Sequence, residues 1–175
     1  MTPSLQKPGK GVLITLEGPD GSGKSTQVGR LVEKLRGRGI DPLVTREPGG
    51  TATGELIREI LQHDRTGEPL TPETETLLFL AARAQLVRTV IRPALLQGRW
   101  VISDRFMDST VAYQGYGREL GPAVIERMNT FAVGETLPDL TILLDVEPTV
   151  GLARIGHRHR TGGLKADRLE GQGRY

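Results

Sequence analysis

Residues 12–35, VLITLEGPDGSGKSTQVGRLVEKL, restrict the fold more than any other stretch of the chain. An apolar run reads as a buried strand. Three glycines follow within six residues, and then Gln27, Val28, Leu31, Val32 and Leu35 recur at helical spacing. Glycine at that density costs backbone entropy, so the loop must need the freedom. Gly18, four intervening residues, Gly23, Lys24 and Ser25 fit the phosphate-binding pattern G-x-x-x-x-G-K-[ST], in which backbone N–H groups converge on phosphate oxygens. With 23 glycines and 5 lysines in 175 residues, an accidental match arises about once in a hundred such chains. The strand before it and the helix after it argue against a mere flexible surface turn.

Further apolar runs at 43–45, 100–103 and 140–145 join 12–16 as buried-strand candidates, and helix-like stretches occupy 25–38, 52–62, 72–97 and 122–133. The 72–97 stretch reads as two helices or one bent one, with Pro93 at a start or a kink. Alternating strands and helices predict an α/β fold, a parallel β-sheet flanked by helices on both faces, with ligands at the carboxyl ends of the strands. Each strand candidate ends in polar or glycine-rich sequence, so four ends point to one cleft.

Length suits a single domain over 1–175, with a loose tail at 1–10. The absence of cysteine excludes disulfides and thiolate metal sites. No apolar stretch approaches a membrane span, and the start lacks the apolar segment of a signal peptide, so a cytoplasmic protein without a membrane partner is expected. A net charge of +2 does not indicate a nucleic-acid surface. Arginine outnumbers lysine 18 to 5. That bias suits two-pronged phosphate binding, and equally a GC-rich genome's codon preference.

A phosphate loop alone leaves the reaction open. Asn129 is the only asparagine and Thr130 follows it, which excludes a GTPase with an Asn-Lys-x-Asp base-reading motif. A small-molecule kinase needs a second anion pocket and a lid against water. TREPGGTATGELIREI at 45–60, LLFLAAR at 77–83, DRFMDSTVAYQGYGR at 104–118 and PDLTILLDV at 138–146 follow the loop in that order. Together they closely resemble the thymidylate kinase family, bacterial type, over nearly the whole chain. REPGG and DRF..S..AYQG are the specific parts. The resemblance implies a nucleoside-monophosphate-kinase-like fold and transfer of the ATP γ-phosphoryl group to dTMP, giving dTDP, with Mg²⁺.

By that resemblance Gly18, Pro19, Asp20, Gly21, Ser22, Gly23, Lys24, Ser25 and Thr26 hold the ATP phosphates, with Lys24 catalytic. Ser25 and Asp104 would take Mg²⁺. Phe79 matches the aromatic that stacks on thymine, its alternative being a core residue. Arg83, one turn on, matches the arginine that hydrogen-bonds the base. Arg105 and Arg58 match the arginines for the acceptor phosphate, Arg58 having a surface salt bridge as its alternative. Tyr113 and Gln114, flanked by Ser109 and Thr110, match the residues meeting sugar and base. Glu47 and Asp20 fall near the 3′-hydroxyl or the metal, and Arg46 and Asp145 read as structural.

The family divides over where its transition-state arginine sits. Gly21 and Ser22 fill the variable loop positions here, so the charge must come from a lid at about 152–170, with Arg154, Arg158 and Arg160 as candidates. The same arginine-rich tail also reads as a solvated, frayed terminus. Family members continue past DRLE at 167–170 with a strand and helices that this sequence lacks. The resemblance also suggests a homodimer through the helices around 77–96. Competing readings are a kinase for another deoxynucleotide or deoxynucleoside, and a non-catalytic nucleotide-binding protein.

Overall fold

A computed structural model describes residues 11–63 and 67–162, the side chains of 158–162 excepted. The expected loose tail at 1–10 lies outside the described residues. Strands β1 (Leu13–Glu17), β2 (Leu43–Arg46), β3 (Val101–Asp104) and β4 (Leu140–Leu143) form one parallel sheet in the order β2-β3-β1-β4. Leu16 and Arg46 both stand level with Asp104. The carboxyl ends of β2, β3 and β1 therefore open on a common edge.

The unbroken apolar run of β1 follows from burial on both faces. Val12, Ile14 and Leu16 pack with Val28, Val32 and Leu35 of helix α1 (Lys24–Arg36), together with Trp100 and Ile102. Leu13 and Val101 turn to the opposite face. There they meet Leu86, Val87, Ile91, Ala94, Phe106 and Val133. Each such side chain, fully buried, contributes about 1.5–3 kcal/mol. Helices cover both faces, as the sequence predicts.

The other helices begin on recognisable signals. Thr51 caps α2 (Ala52–Gln62) by accepting from the Gly54 N–H at 2.9 Å. Thr71 caps α3 (Pro72–Leu86), with Pro72, Glu73 and Glu75 in its first turn. The 72–97 stretch is one continuous rod. A π-helical turn at Val87–Ile91 connects α3 to α4 (Arg92–Leu96), just before Pro93, which has no N–H for the α-helical ladder.

Three features depart from expectation. Residues 107–117 carry no strong helical signal, with Gly115 and Gly117 near the end, yet they form α5 (Met107–Thr110) and a π-helical continuation, Val111–Gly117. This segment packs against α6 (Pro122–Val133). Strand β4 ends at Leu143, and Leu140 and Leu143 are exposed. An apolar run reads alike whether one strand or two flank it, and here only β1 does among the described residues. The tail is not frayed from its start: α7 runs Pro148–Gly162.

Candidate active site

The loop between β1 and α1 closes on its own lysine. Gly23 begins α1 in the left-handed region, φ 96°, where a Cβ would be strained. Lys24 is buried, and its Nζ donates to the carbonyl oxygens of Gly18 and Pro19 at 3.0 and 2.9 Å. Burial, with Arg105 nearby, pushes its pKa below the usual lysine value against the pull of Asp20, Asp104 and Glu17. A buried cation bounded by carbonyl dipoles is suited to an arriving anion. Ser22 Oγ is buried with no partner among the described residues.

A cleft of about 700 Å³ opens beside this loop. Asp20, Gly21, Gly23, Lys24, Ser25 and Thr26 line one side; Gly18 and Pro19 serve through their carbonyls, and with Ser22 they are not part of the lining. Glu47, Arg58, Phe79, Arg83, Arg105, Ser109, Thr110, Tyr113 and Gln114 contribute the remaining walls. Motifs spread over 45–118 thus meet in one space.

Arg105 is the hinge between the two sides. It follows β3 with φ 71°, a left-handed conformation that costs a non-glycine residue about 1 kcal/mol or more. That twist sends its Nη1 to Gly18 O at 3.0 Å and Ser109 Oγ at 3.1 Å, and its Nη2 to Asp20 Oδ1 at 2.6 Å. Tyr113 lies beneath it, ring centroid 5.2 Å from the guanidinium carbon. Arg58 donates to Pro48 O at 3.0 Å and faces the same space. Phe79 belongs to neither core cluster and stands half-buried at the cleft wall, against its reading as a core residue.

Arg83 is held from several sides. Its Nε donates to Glu47 Oε2 at 2.7 Å, Nη1 to Thr110 Oγ1 at 2.8 Å and Asn129 Oδ1 at 2.6 Å, and Nη2 to Phe106 O at 2.9 Å, while Nη2 and Glu47 form an ion pair. These four hydrogen bonds engage all three nitrogens of the guanidinium inside the protein. Arg83 also lines the cleft, and its charge matches the carboxylate buried across from it. Burial raises the Glu47 carboxyl while Arg83 opposes the rise, and Glu47 Oε1 is left without a partner among the described residues.

Several contributors carried no signal of their own in the sequence. Glu17, closing β1, accepts from the Phe106 N–H at 2.7 Å and from Ser109 Oγ. Burial holds its carboxyl above the usual range despite those two bonds. Glu75 on α3 takes Gln114 Nε2 at 3.0 Å and Arg118 Nη2 at 3.1 Å. A charged residue inside an otherwise apolar helix face was the only available hint. Arg46 pairs with Glu55 at 3.0 Å, as a structural residue should, yet it also lines the cleft with Pro48 and Gln62.

Helix α7 approaches the phosphate loop so closely that a Cβ on Gly21 would strike the Gly151 carbonyl, and one on Gly151 the Asp20 carbonyl. Arg154 on the same helix donates to Gly21 O at 3.1 Å and reaches the cleft. The side chains of Arg158 and Arg160 lie outside the described residues. Asp145, past the end of β4, is exposed.

Ser25 Oγ donates to Asp104 Oδ2 at 3.0 Å, beside Lys24. No cluster of three or more His, Cys, Asp or Glu exists among the described residues. A hydroxyl and one carboxylate fit a hard cation that draws its other ligands from phosphates and water, as Mg²⁺ does.

A parallel sheet, a phosphate loop with its lysine and hydroxyls, and a facing pocket with two arginines define a phosphate-loop kinase acting on a small acceptor. The family model described as thymidylate kinase matches residues 16–171. Thymidylate kinase of Ectopseudomonas mendocina is 51% identical over 164 residues, covering 94% of this chain and 75% of that protein. That of Afipia carboxidovorans is 49% identical, covering 94% and 71%. A crystal structure of thymidylate kinase from Ehrlichia chaffeensis superposes with a TM-score of 0.71 at 35% identity, over 88% of this chain and 89% of the other. The chain belongs to the thymidylate kinase family.

Proposed function

We propose that this chain transfers the γ-phosphoryl group of ATP to dTMP, giving dTDP and ADP. The observation that carries the reading is that one cleft joins the loop of Lys24 to Arg58 and Arg105 on the facing side, with Phe79 and Tyr113 beyond them. Two anions must meet there, and Lys24, Arg58 and Arg105 supply cations at the junction. The N–H groups and Lys24 of the loop hold the donor phosphates, and Lys24 exchanges its own-loop carbonyls for phosphate oxygens. Arg58 and Arg105 hold the acceptor phosphate, offsetting repulsion and aligning its oxygen with the donor γ-phosphorus. That oxygen is already ionised at neutral pH, so no general base is required. The new P–O bond forms as the bond to ADP breaks. Charge building on the transferring group faces Lys24 and Arg154.

Ser25 and Asp104 would hold Mg²⁺, which supplies charge neutralisation on the donor phosphates when bound. Phe79 stacks on the base, and Tyr113 crowds the sugar where a 2′-hydroxyl would sit. Asp20, Ser109 and Thr110 position the acceptor, with Arg105 already bonded to two of the three. We read about 152–170 as a lid on a single domain, its part past 162 outside the described residues. Exposed Leu77 and Leu96 support a homodimer through the rod of α3 and α4. No helix of the described residues is long and apolar enough to cross a membrane; a cytoplasmic setting accords with the nucleotide substrates. An ADP-release assay with dTMP, dUMP, dCMP and thymidine tests the reading. Turnover with dTMP should exceed all others, and its absence there sinks the assignment.

A further inference from the structure

We infer that Glu75, held by Arg118, is a positioning residue that fixes the side-chain amide of Gln114 and so selects which pyrimidine edge the cleft accepts. A glutamine amide has two ends of nearly equal size, a carbonyl oxygen that accepts and an NH₂ that donates, and rotation by half a turn exchanges them. Left to itself Gln114 would present either end to a base. It is not left to itself. Gln114 is buried, and its Nε2 donates to Glu75 Oε1 at 3.0 Å. Glu75 is itself only 1% exposed. Arg118 anchors it with two donors, Nε to Oε1 at 3.2 Å and Nη2 to Oε2 at 3.1 Å.

A carboxylate only accepts, so turning the amide would set oxygen against oxygen in a site shut off from water. The NH₂ is therefore committed to Glu75, and Oε1 is the group that Gln114 offers to the cleft it lines. An acceptor at that point welcomes a base whose facing edge carries an N–H. The N3–H of a thymine or uracil ring supplies one. Cytosine has an unprotonated N3 there, and two acceptors would face each other. The arrangement discriminates between ring edges, and it is indifferent to the 5-methyl group that separates thymine from uracil.

The inference rests on dTMP being the acceptor, and the test separates the two. Wild type, Glu75→Gln and Arg118→Gln are assayed as full chains with dTMP, dUMP and dCMP. Freed to turn, the Gln114 amide should cost dTMP and dUMP alike. In both variants the dTMP KM should rise several-fold with kcat within about threefold. The ratio of kcat/KM for dTMP over dCMP should fall about tenfold, the worth of one paired acceptor, while the ratio for dTMP over dUMP stays within about twofold. A merely structural role would lower turnover on all three and leave the first ratio unmoved, which overturns the inference. So does a fall of both ratios in step. Arg118→Gln stands in if Glu75→Gln does not fold, since Arg118 is partly exposed. A second readout needs no activity. Hydrogen exchange of the Gln114 side-chain NH₂, followed by nitrogen-15 NMR, should quicken at least tenfold in either variant, and unchanged exchange refutes the fixed amide. Wild type inert towards dTMP would refute the proposed function, with the exchange measurement still deciding the role of Glu75.

Discussion

Arg83 and Glu47 face each other out of reach of solvent, with side-chain exposures of 2% and 4% and Nε donating to Oε2 at 2.7 Å. Thr110, Asn129 and the Phe106 carbonyl take the other N–H groups of the same guanidinium. One side chain of α3 therefore ties together the segment after β2, the segment after β3, and α6. Removing it strands a buried carboxylate, so Arg83→Ala should lose about 3–5 kcal/mol in urea unfolding. Adding Glu47→Gln should recover part of that loss. Stability equal to wild type in the single variant would show that the network holds nothing together.

Phe79 should behave in the opposite way. It stands at the cleft wall and outside both core clusters, so Phe79→Ala should leave the unfolding midpoint nearly unchanged. Stacking is worth about 1–3 kcal/mol per base, and the dTMP KM should rise accordingly. The ATP KM should hold. Steady-state kinetics with each substrate varied in turn checks this, and an equal rise in both constants would place Phe79 elsewhere.

Lys24→Ala is expected to abolish transfer while the protein still folds. The lysine's contacts are to the Gly18 and Pro19 carbonyls, which solvent can satisfy through the open cleft. Its loss removes the charge that meets the transferring group, a matter of several kcal/mol and about 10³-fold or more in kcat. Circular dichroism together with single-turnover rates provides the check. Near-normal turnover would remove the phosphate-loop mechanism.

Among the lid arginines, Arg154 is already tethered to Gly21 at the cleft. Arg154→Ala should therefore lower kcat by about 10³-fold with little change in either KM, because the interaction strengthens chiefly in the transition state. Arg158→Ala and Arg160→Ala should change turnover only modestly. If all three stayed within a few-fold of wild type, the transition-state charge would come from Arg105 instead.

Burial raises the Glu17 carboxyl above its usual 4.5, against the bonds from Ser109 and Phe106. A folded-state value above the unfolded one gives stability that is fully present below 4.5 and lost as pH rises through the elevated value. Wild type measured against Glu17→Gln should accordingly lose relative stability as pH rises above 4.5. Denaturant unfolding at intervals across that range tests it. A constant difference would mean that Glu17 titrates as an ordinary carboxyl.

The sequence by itself determined what depends on neighbours along the chain. Gly18 to Gly23 is a loop because glycine spacing and the adjoining periodicities are local properties, and Thr51 and Thr71 mark helix starts for the same reason. The resemblance groups Phe79, Arg105 and Gln114 at one site. Tertiary structure decided what depends on partners far away in the chain. Residues 107–117 are helical although their glycines and β-branched residues oppose it, because α6 packs against them. Strand β4 is exposed because only β1 flanks it among the described residues. The resemblance implies that Arg83 meets a base, and only the fold shows that its N–H groups also bind Glu47, Thr110, Asn129 and the Phe106 carbonyl. A buried charge takes whichever partners the packing brings within hydrogen-bond distance, and those partners, 23 to 46 residues away along the chain, leave no mark on the sequence around it.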